Sequence, residues 1–380
     1  MDWIQVDVSS LPSPCYIINL DILKHDLSIM QKRCKLLNID ALLAVKGFPL
    51  ALLYEEIAPF WDGASASSLF ETRIGSYIGK EVHIHTPAYR ECEMEEIFAR
   101  CDHVVFNSFS QWEKYRFQSI QHANSTSFGV RINPEYSEIS VKKYNPCLPY
   151  SRLGITAENM NISQLSGIEG FHVHAMCDQG ADTFARVIST VIDKFGCFLP
   201  RLSWINFGGG HRLADDTYDL KLLQESLSKI THNYGLRVYV EPCEAIVTRS
   251  GYLLSTVLDI VENKKTTAIL DTSAICHMPD VLEMPYRPDI DYPANGDEQP
   301  HEYILSGVSC LAGDVIGKYQ MENRLHIGDK IIFSDMGAYT FAKENYFNGI
   351  NFPAIVLYSS KNGFQIVKEY SYDDYESQYR

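Results

Sequence analysis

Apolar residues recur at helical spacing from Asp21 onward: Leu23, Leu27, Met30, Cys34 and Leu37 share one face, and Asp21 is placed to begin the helix. Before it, Cys15-Tyr16-Ile17-Ile18 is a short apolar run that predicts a strand. After it comes Ala41-Leu42-Leu43-Ala44-Val45-Lys46-Gly47-Phe48, wholly apolar up to its lysine, which predicts a buried strand. Short apolar runs and amphipathic segments then alternate as far as Glu241. The pattern predicts strands over 62–65, 82–86, 103–107, 127–133, 170–174, 202–207 and 237–241. Helices are predicted over 70–78, 91–99, 110–120, 182–194 and 220–233. With the Lys46 strand this makes eight β segments with room for crossovers between them, the pattern of a (β/α)8 TIM-like barrel.

Near Ile246 the pattern changes. Runs rich in β-branched and aromatic residues over 251–261, 266–270, 303–308, 330–334 and 354–359 are separated by Gly, Pro, Asn and Asp. This predicts a C-terminal, mainly antiparallel β domain. Residues 287–300 are turn-rich and predict a surface excursion. The expected organisation is a barrel over 21–248 and a β domain made of 1–20 and 249–380, with the N-terminal strand joining the latter.

A chain of 380 residues has room for both. A formal net charge of −15 argues against nucleic acid and anionic membrane as partners and agrees with a small cationic substrate. No basic-then-apolar leader opens the sequence, and no apolar stretch approaches the roughly 20 residues a bilayer span requires. The ten cysteines show no Cys-x-x-Cys pair and no finger-like spacing. That usage predicts reduced thiols in a cytoplasmic protein and no metal site.

Several positions carry candidate chemistry. A lysine leaving a barrel strand is readily neutralised when desolvated, which suits Schiff-base chemistry, although a strand-end lysine can also simply reach for water. Asn206-Phe207-Gly208-Gly209-Gly210-His211 follows a predicted strand, where consecutive glycines offer backbone N–H groups to a phosphate or make a plain turn. Glu241-Pro242-Cys243-Glu244 closes the last barrel strand; its first carboxylate suits a cofactor's protonated ring nitrogen or a surface terminus. Alternation puts His172 and His174 on one face, for a cofactor ring or for a hydrogen-bonded core. Cys310, in a loop of small residues ending at Asp314, suits an acid, a nucleophile or simple packing. Tyr339 offers a phenol to a phosphate, and Glu244 with Asp280 offers two carboxylates to an amine or to solvent.

Taken in order, these segments resemble the alanine-racemase-like, fold-type III pyridoxal-phosphate decarboxylases, whose members include ornithine, diaminopimelate and biosynthetic arginine decarboxylases. The resemblance is carried by Leu43–Phe48, Ser151-Arg152-Leu153-Gly154, His174-x-x-Cys177, the Asp271–Pro288 block, Cys310–Gly317 and Phe347-Asn348-Gly349. It is nearest to members acting on carboxylated polyamines. It implies pyridoxal 5'-phosphate held by Lys46, its phosphate on Gly208, Gly209, Gly210 and Tyr339, its ring under His174, and its ring nitrogen on Glu241. Asp62 and Arg152 would neighbour the cofactor. Cys310 would be the general acid, reaching the partner's site in a head-to-tail homodimer with shared active sites. Glu244, Asp280 and Asp314 would bind substrate. The implied activity is decarboxylation of carboxynorspermidine or carboxyspermidine. Alternatives are diaminopimelate or another basic amino acid as substrate, or an inactive regulatory homologue. Departures from the family pattern at Cys243, Asp178 and Lys318 bear on substrate length and ring tilt rather than on the chemical groups.

Overall fold

The computed structural model describes residues 7–123, 125–243, 247–284, 286–291 and 301–380. The chain divides into two compact parts, one of residues 25–246 and one of residues 1–24 with 247–380.

The first part is a closed barrel of eight parallel strands. In chain order after β1 (Cys15–Asn19) these are β2 (Asp40–Ala44), β3 (Gly63–Ala66), β4 (Glu81–His85), β5 (His103–Phe106), β6 (Ser127–Arg131), β7 (Gly170–His172), β8 (Trp204–Asn206) and β9 (Arg237–Val240). Each strand pairs with the next, and β9 closes onto β2 through Asp40↔Tyr239 and Ala41↔Val240. Helices such as Leu69–Gly75, Phe109–His122, Ala181–Phe195 and Leu220–Tyr234 fill the crossovers. Between β6 and β7 the described residues form only two 3-10 turns, Lys142–Tyr144 and Ile162–Leu165. The Lys46 segment is shorter as a strand than its apolar run suggests. It ends at Ala44, and Val45–Gly47 turns as a 3-10 helix that leaves Val45 and Gly47 buried and Lys46 exposed.

The barrel interior is filled from below by Leu42, Val105, Trp204 and Tyr239. Trp204 fits because its neighbours on β6 and β7 are glycines: a Cβ on Gly170 would lie 2.0 Å from its ring, and one on Gly129 2.5 Å. Its Nε1–H donates to Ser127 Oγ at 2.8 Å. A strand that gives up a side chain here admits a large ring, which is how a narrow barrel fills its core.

The second part is a nine-stranded, mostly antiparallel sheet. Its strands after β9 are β10 (Gly251–Asn263), β11 (Lys265–Leu270), β12 (Ile290–Asp291), β13 (His301–Ser306), β14 (Val315–Met321), β15 (Lys330–Phe333), β16 (Ala354–Ser359) and β17 (Gly363–Lys368). The N-terminal strand β1 lies in this sheet, antiparallel to β10 and parallel to β16. Tyr16, Leu253, Leu270 and Phe333 anchor one of its apolar clusters. Ile290–Asp291, in the stretch expected to be a surface excursion, instead pairs with β15; the rest of that stretch from 292 lies outside the described residues. Among the described residues no helix is long and apolar enough to cross a membrane.

Candidate active site

In a parallel barrel the residues leaving the C-terminal strand ends share one rim. Here that rim carries Lys46 after β2, His174 after β7, the glycine loop after β8 and Glu241 after β9. Glu241 is the hub. Its carboxylate is 8% exposed, and Oε1 accepts from Ser65 Oγ at 2.8 Å and from Asn206 Nδ2 at 2.9 Å. His172 Nε2 lies 3.6 Å from the same oxygen. Burial opposes the charge on Glu241, but the His172 contact and the Lys46 ammonium outweigh it, so the carboxyl is held well below its usual range. His172 stacks on His85 with centroids 4.8 Å apart. Burial, against the opposing charge of Glu241 and aided by Arg131 and Lys46, holds both imidazoles below their ordinary range.

The glycine loop packs against this hub with no room for side chains. The Glu241 N–H donates to Gly208 O at 2.8 Å, and a Cβ on Gly209 would sit 2.6 Å from Glu241 O. Gly208 (φ 66°) and Gly210 (φ 87°) are left-handed; their missing Cβ atoms would meet His174 Nδ1 at 2.7 Å and Met176 O at 2.3 Å. Asn206 Oδ1 accepts the Gly208 N–H at 2.8 Å. His174 Nδ1 accepts the Gly209 N–H at 3.3 Å, which puts any ring proton on Nε2. Desolvation first, then Lys46 and Arg131, holds His174 well below the ordinary imidazole range.

Four participants on this rim were not singled out from the sequence. Ser65 sits one pleat inside β3, and Asn206 directly precedes the glycines. Arg131 ends β6, is 5% exposed, and donates from Nη2 to His174 O at 3.4 Å; burial lowers its guanidinium to about 10, still cationic at neutral pH. Glu71 accepts the Ser67 N–H at 2.6 Å; burial raises its carboxyl while Lys46 opposes the rise. Alternation within β3 and the polar residue at the end of β8 were the available signals. Arg152 lies in the loop after β6, its carbonyl accepting from Asn107 Nδ2 at 2.8 Å, and its charge reaches Arg131.

Asp62 requires correction. It precedes β3, so it stands at the opposite, N-terminal end of the barrel from Lys46. There it accepts the Ala41 N–H at 2.9 Å and neighbours Asp40, Lys80 and Arg237. The β3 side chain that reaches the rim is Ser65.

The remaining positions lie in the sheet part. Cys310 is exposed on the loop between β13 and β14, and its N–H donates to Asn348 Oδ1 at 2.8 Å. Asn348 and Gly349 are both left-handed (φ 57° and 69°), which shapes the Phe347-Asn348-Gly349 segment holding that loop. Asp280 is half-buried and accepts from Lys343 Nζ at 2.5 Å; Glu283 meets the same ammonium at 3.3 Å. The Lys343 ammonium also stands 6.0 Å over the half-buried ring of Tyr339. Asp314 requires the second correction. It is 3% exposed, and its oxygens accept from Ser273 Oγ, the Ala274 N–H and the Ser309 N–H at 2.8, 2.7 and 3.1 Å. A carboxylate so enclosed braces the Cys310 loop rather than meeting a substrate. Glu244 lies outside the described residues.

Similarity to known proteins extends over nearly the whole chain. The family model described as pyridoxal-dependent decarboxylase, C-terminal sheet domain, matches residues 15–337. A carboxynorspermidine/carboxyspermidine decarboxylase of Campylobacter jejuni is 38% identical, with 96% of this chain and 98% of the relative covered. A carboxyaminopropylagmatine decarboxylase of Synechocystis is also 38% identical, covering 97% and 96%. The crystal structure of a Campylobacter jejuni carboxynorspermidine decarboxylase with norspermidine superposes with a TM-score of 0.87 at 36% identity, over 97% of this chain and 100% of the other.

Proposed function

The chain belongs to the pyridoxal-dependent decarboxylase family, and we propose that it is a cytoplasmic enzyme decarboxylating carboxynorspermidine or carboxyspermidine to norspermidine or spermidine in polyamine biosynthesis. The observation that carries the reading is the full-length likeness to a relative of that name, in a chain whose rim carries both a lysine and an ionised, buried glutamate.

The rim suits pyridoxal 5'-phosphate on its own geometry. The glycines leave no space for side chains where a phosphate would lie, and with the Gly208 and Gly209 N–H groups donated to Asn206 and His174, it is the Gly210 N–H, without a partner among the described residues, that is left to meet it. In this reading Lys46 would hold the cofactor covalently and His174 would serve its ring. Gly208–Gly210 and Tyr339 hold its phosphate, and Arg152 stands nearby. When bound, the cofactor supplies an aldehyde for the substrate amine and a cationic ring that takes up the electron pair left as the carboxylate departs. Glu241 stays ionised and so favours a proton on the ring nitrogen facing it. Arg131 keeps a buried positive charge within reach of Glu241, and the buried His172 beside that carboxylate helps exclude water. Cys310 Sγ would hold the proton needed by the carbon that loses carbon dioxide, acting in the partner subunit of a head-to-tail homodimer. Glu244 and Asp280 receive the cationic end of the substrate, whose ammonium needs an anionic partner once desolvated.

The equal likeness to the Synechocystis relative favours carboxyaminopropylagmatine as a second reading. Both are tested together. Borohydride reduction of the purified protein followed by peptide mass spectrometry is expected to place a pyridoxyl group on Lys46. Turnover is expected to be fastest on carboxynorspermidine or carboxyspermidine in a panel with carboxyaminopropylagmatine, diaminopimelate, ornithine and arginine. Absence of the adduct removes the cofactor assignment, and a preference for any of the last four removes the substrate assignment.

A further inference from the structure

Three contacts converge on Glu241, and all three fall on one oxygen. Ser65 Oγ and Asn206 Nδ2 donate to Oε1 at 2.8 and 2.9 Å, and His172 Nε2 faces it at 3.6 Å. Among the described residues Oε2 takes none. A carboxylate pinned by one oxygen has its rotation fixed and its second oxygen presented in one direction. Asn206 does more. Its Oδ1 accepts the Gly208 N–H at 2.8 Å while its Nδ2 donates to Glu241. These two partners fix the orientation of the amide, because a backbone N–H needs an acceptor and a carboxylate needs a donor. The residue is 1% exposed, so neither bond is shared with bulk water.

We infer that Ser65 and Asn206 are positioning residues that aim Glu241 Oε2 at the cofactor's ring nitrogen. Asn206 in addition ties that carboxylate to the glycine loop, so the two ends of the cofactor seat are set by one side chain. The inference rests on the cofactor assignment above and names how this chain orients its ring acid. Ser65 comes from β3 and Asn206 from β8, so the seat is braced from two separate strands rather than from within the β9 terminus. Burying a carboxylate needs such donors in any case, so the discriminating question is whether they serve the ring nitrogen or only the fold.

The test compares pyridoxal phosphate with its 1-deaza analogue, which carries carbon in place of the ring nitrogen. Dissociation constants are measured by spectral titration of the apoprotein for wild type, Ser65→Ala and Asn206→Ala. Wild type is expected to prefer the natural cofactor. In Ser65→Ala that preference should fall by about tenfold, the loss of one charge-assisted hydrogen bond, while affinity for the analogue stays within about twofold. In Asn206→Ala the preference should fall similarly, and affinity for the analogue should fall as well, because the phosphate loop loses its anchor. Equal losses for both ligands in Ser65→Ala, or no loss in either variant, overturns the positioning role. Wild type binding neither ligand instead overturns the cofactor assignment beneath it. Unfolding midpoints of the apoproteins identify any variant that fails to fold. Should Ser65→Ala do so, Ser65→Cys, which fills the same space with a weaker donor, takes its place with the same expected loss of preference.

Discussion

Lys343 sets its ammonium between Asp280 and Glu283, at 2.5 and 3.3 Å, with all three side chains partly open to solvent. An internal cation on a carboxylate proposed to receive a substrate cation must compete with it. A pair of this exposure contributes only about 1 kcal/mol. Lys343→Met is therefore expected to lower KM for carboxynorspermidine by about threefold to tenfold and to leave kcat within about twofold. A raised KM in steady-state kinetics would show instead that Lys343 props Asp280 in place. The same residues mark how far sequence reasoning reached. Lys46, Glu241 and the glycines follow β2, β9 and β8 at one end of the barrel, as the strand pattern predicts. The roles of Asp62 and Asp314 came from the resemblance, which does not say which end of a strand a residue occupies or whether its oxygens are already taken. Ser65 and Asn206 escaped notice because a serine and an asparagine show their role only once both are seen on the same carboxylate oxygen.

At the scale of elements, the alternation of apolar runs with amphipathic segments made the barrel legible, since strand and helix periods differ. The 3-10 turn at Val45–Gly47 was not legible, because Val45 continues the apolar run of the strand and no Pro, Asn or Asp marks where the strand ends. Strand β14 was hidden by Gly317 and Lys318, and β17, an edge strand with mostly exposed residues, lacks the apolar alternation that marks a half-buried strand. The barrel strands and their loops also bury histidines. His83 and His103 stack with centroids 3.9 Å apart, and the Nδ1 atoms of both have no partner among the described residues. Burial first, then the neighbouring His83 and Arg237 against an opposing Glu81, holds His103 down to about 2, and burial holds His211 down to about 4. His85, His172 and His174 are lowered as well. Unfolded, each would take a proton near 6.5, whereas folded it stays neutral. The unfolded chain thus binds more protons below that pH, and stability falls as pH falls through it. Each such group contributes up to about 1.4 kcal/mol per pH unit below about 6.5. Glu344, in the sheet part, works the other way: burial raises it to about 8, so its contribution is lost as pH rises toward that value. Five barrel histidines outweigh one carboxyl. Urea midpoints of the apoprotein are expected to drop between pH 6.5 and 5.5, and less steeply in His103→Phe; a midpoint constant over that range would contradict the neutral state of these imidazoles.

For the whole molecule, the two compact parts carry different halves of the proposed chemistry. Lys46, Glu241 and the glycine loop belong to the barrel, whereas Cys310 stands exposed on a loop of the sheet part. An exposed thiol on a loop braced by buried Asp314 and by Asn348 is presented outward in a fixed shape, which suits delivery into another copy of the chain. In a head-to-tail homodimer each active site would then draw Lys46 from one subunit and Cys310 from the other. Lys46→Ala and Cys310→Ala proteins should each be nearly inactive alone. After subunit exchange, random pairing makes half of the dimers mixed, and each mixed dimer has one site with both residues intact. Mixing equal amounts should therefore restore about one quarter of wild-type activity. Native mass spectrometry of isotopically distinct variants would verify that exchange took place. Exchange without recovered activity would place Cys310 in its own subunit's chemistry, because each subunit of a mixed dimer then lacks one of the two residues. Recovery near one quarter would require that the two residues act across the subunit boundary, because neither homodimer contains a complete pair.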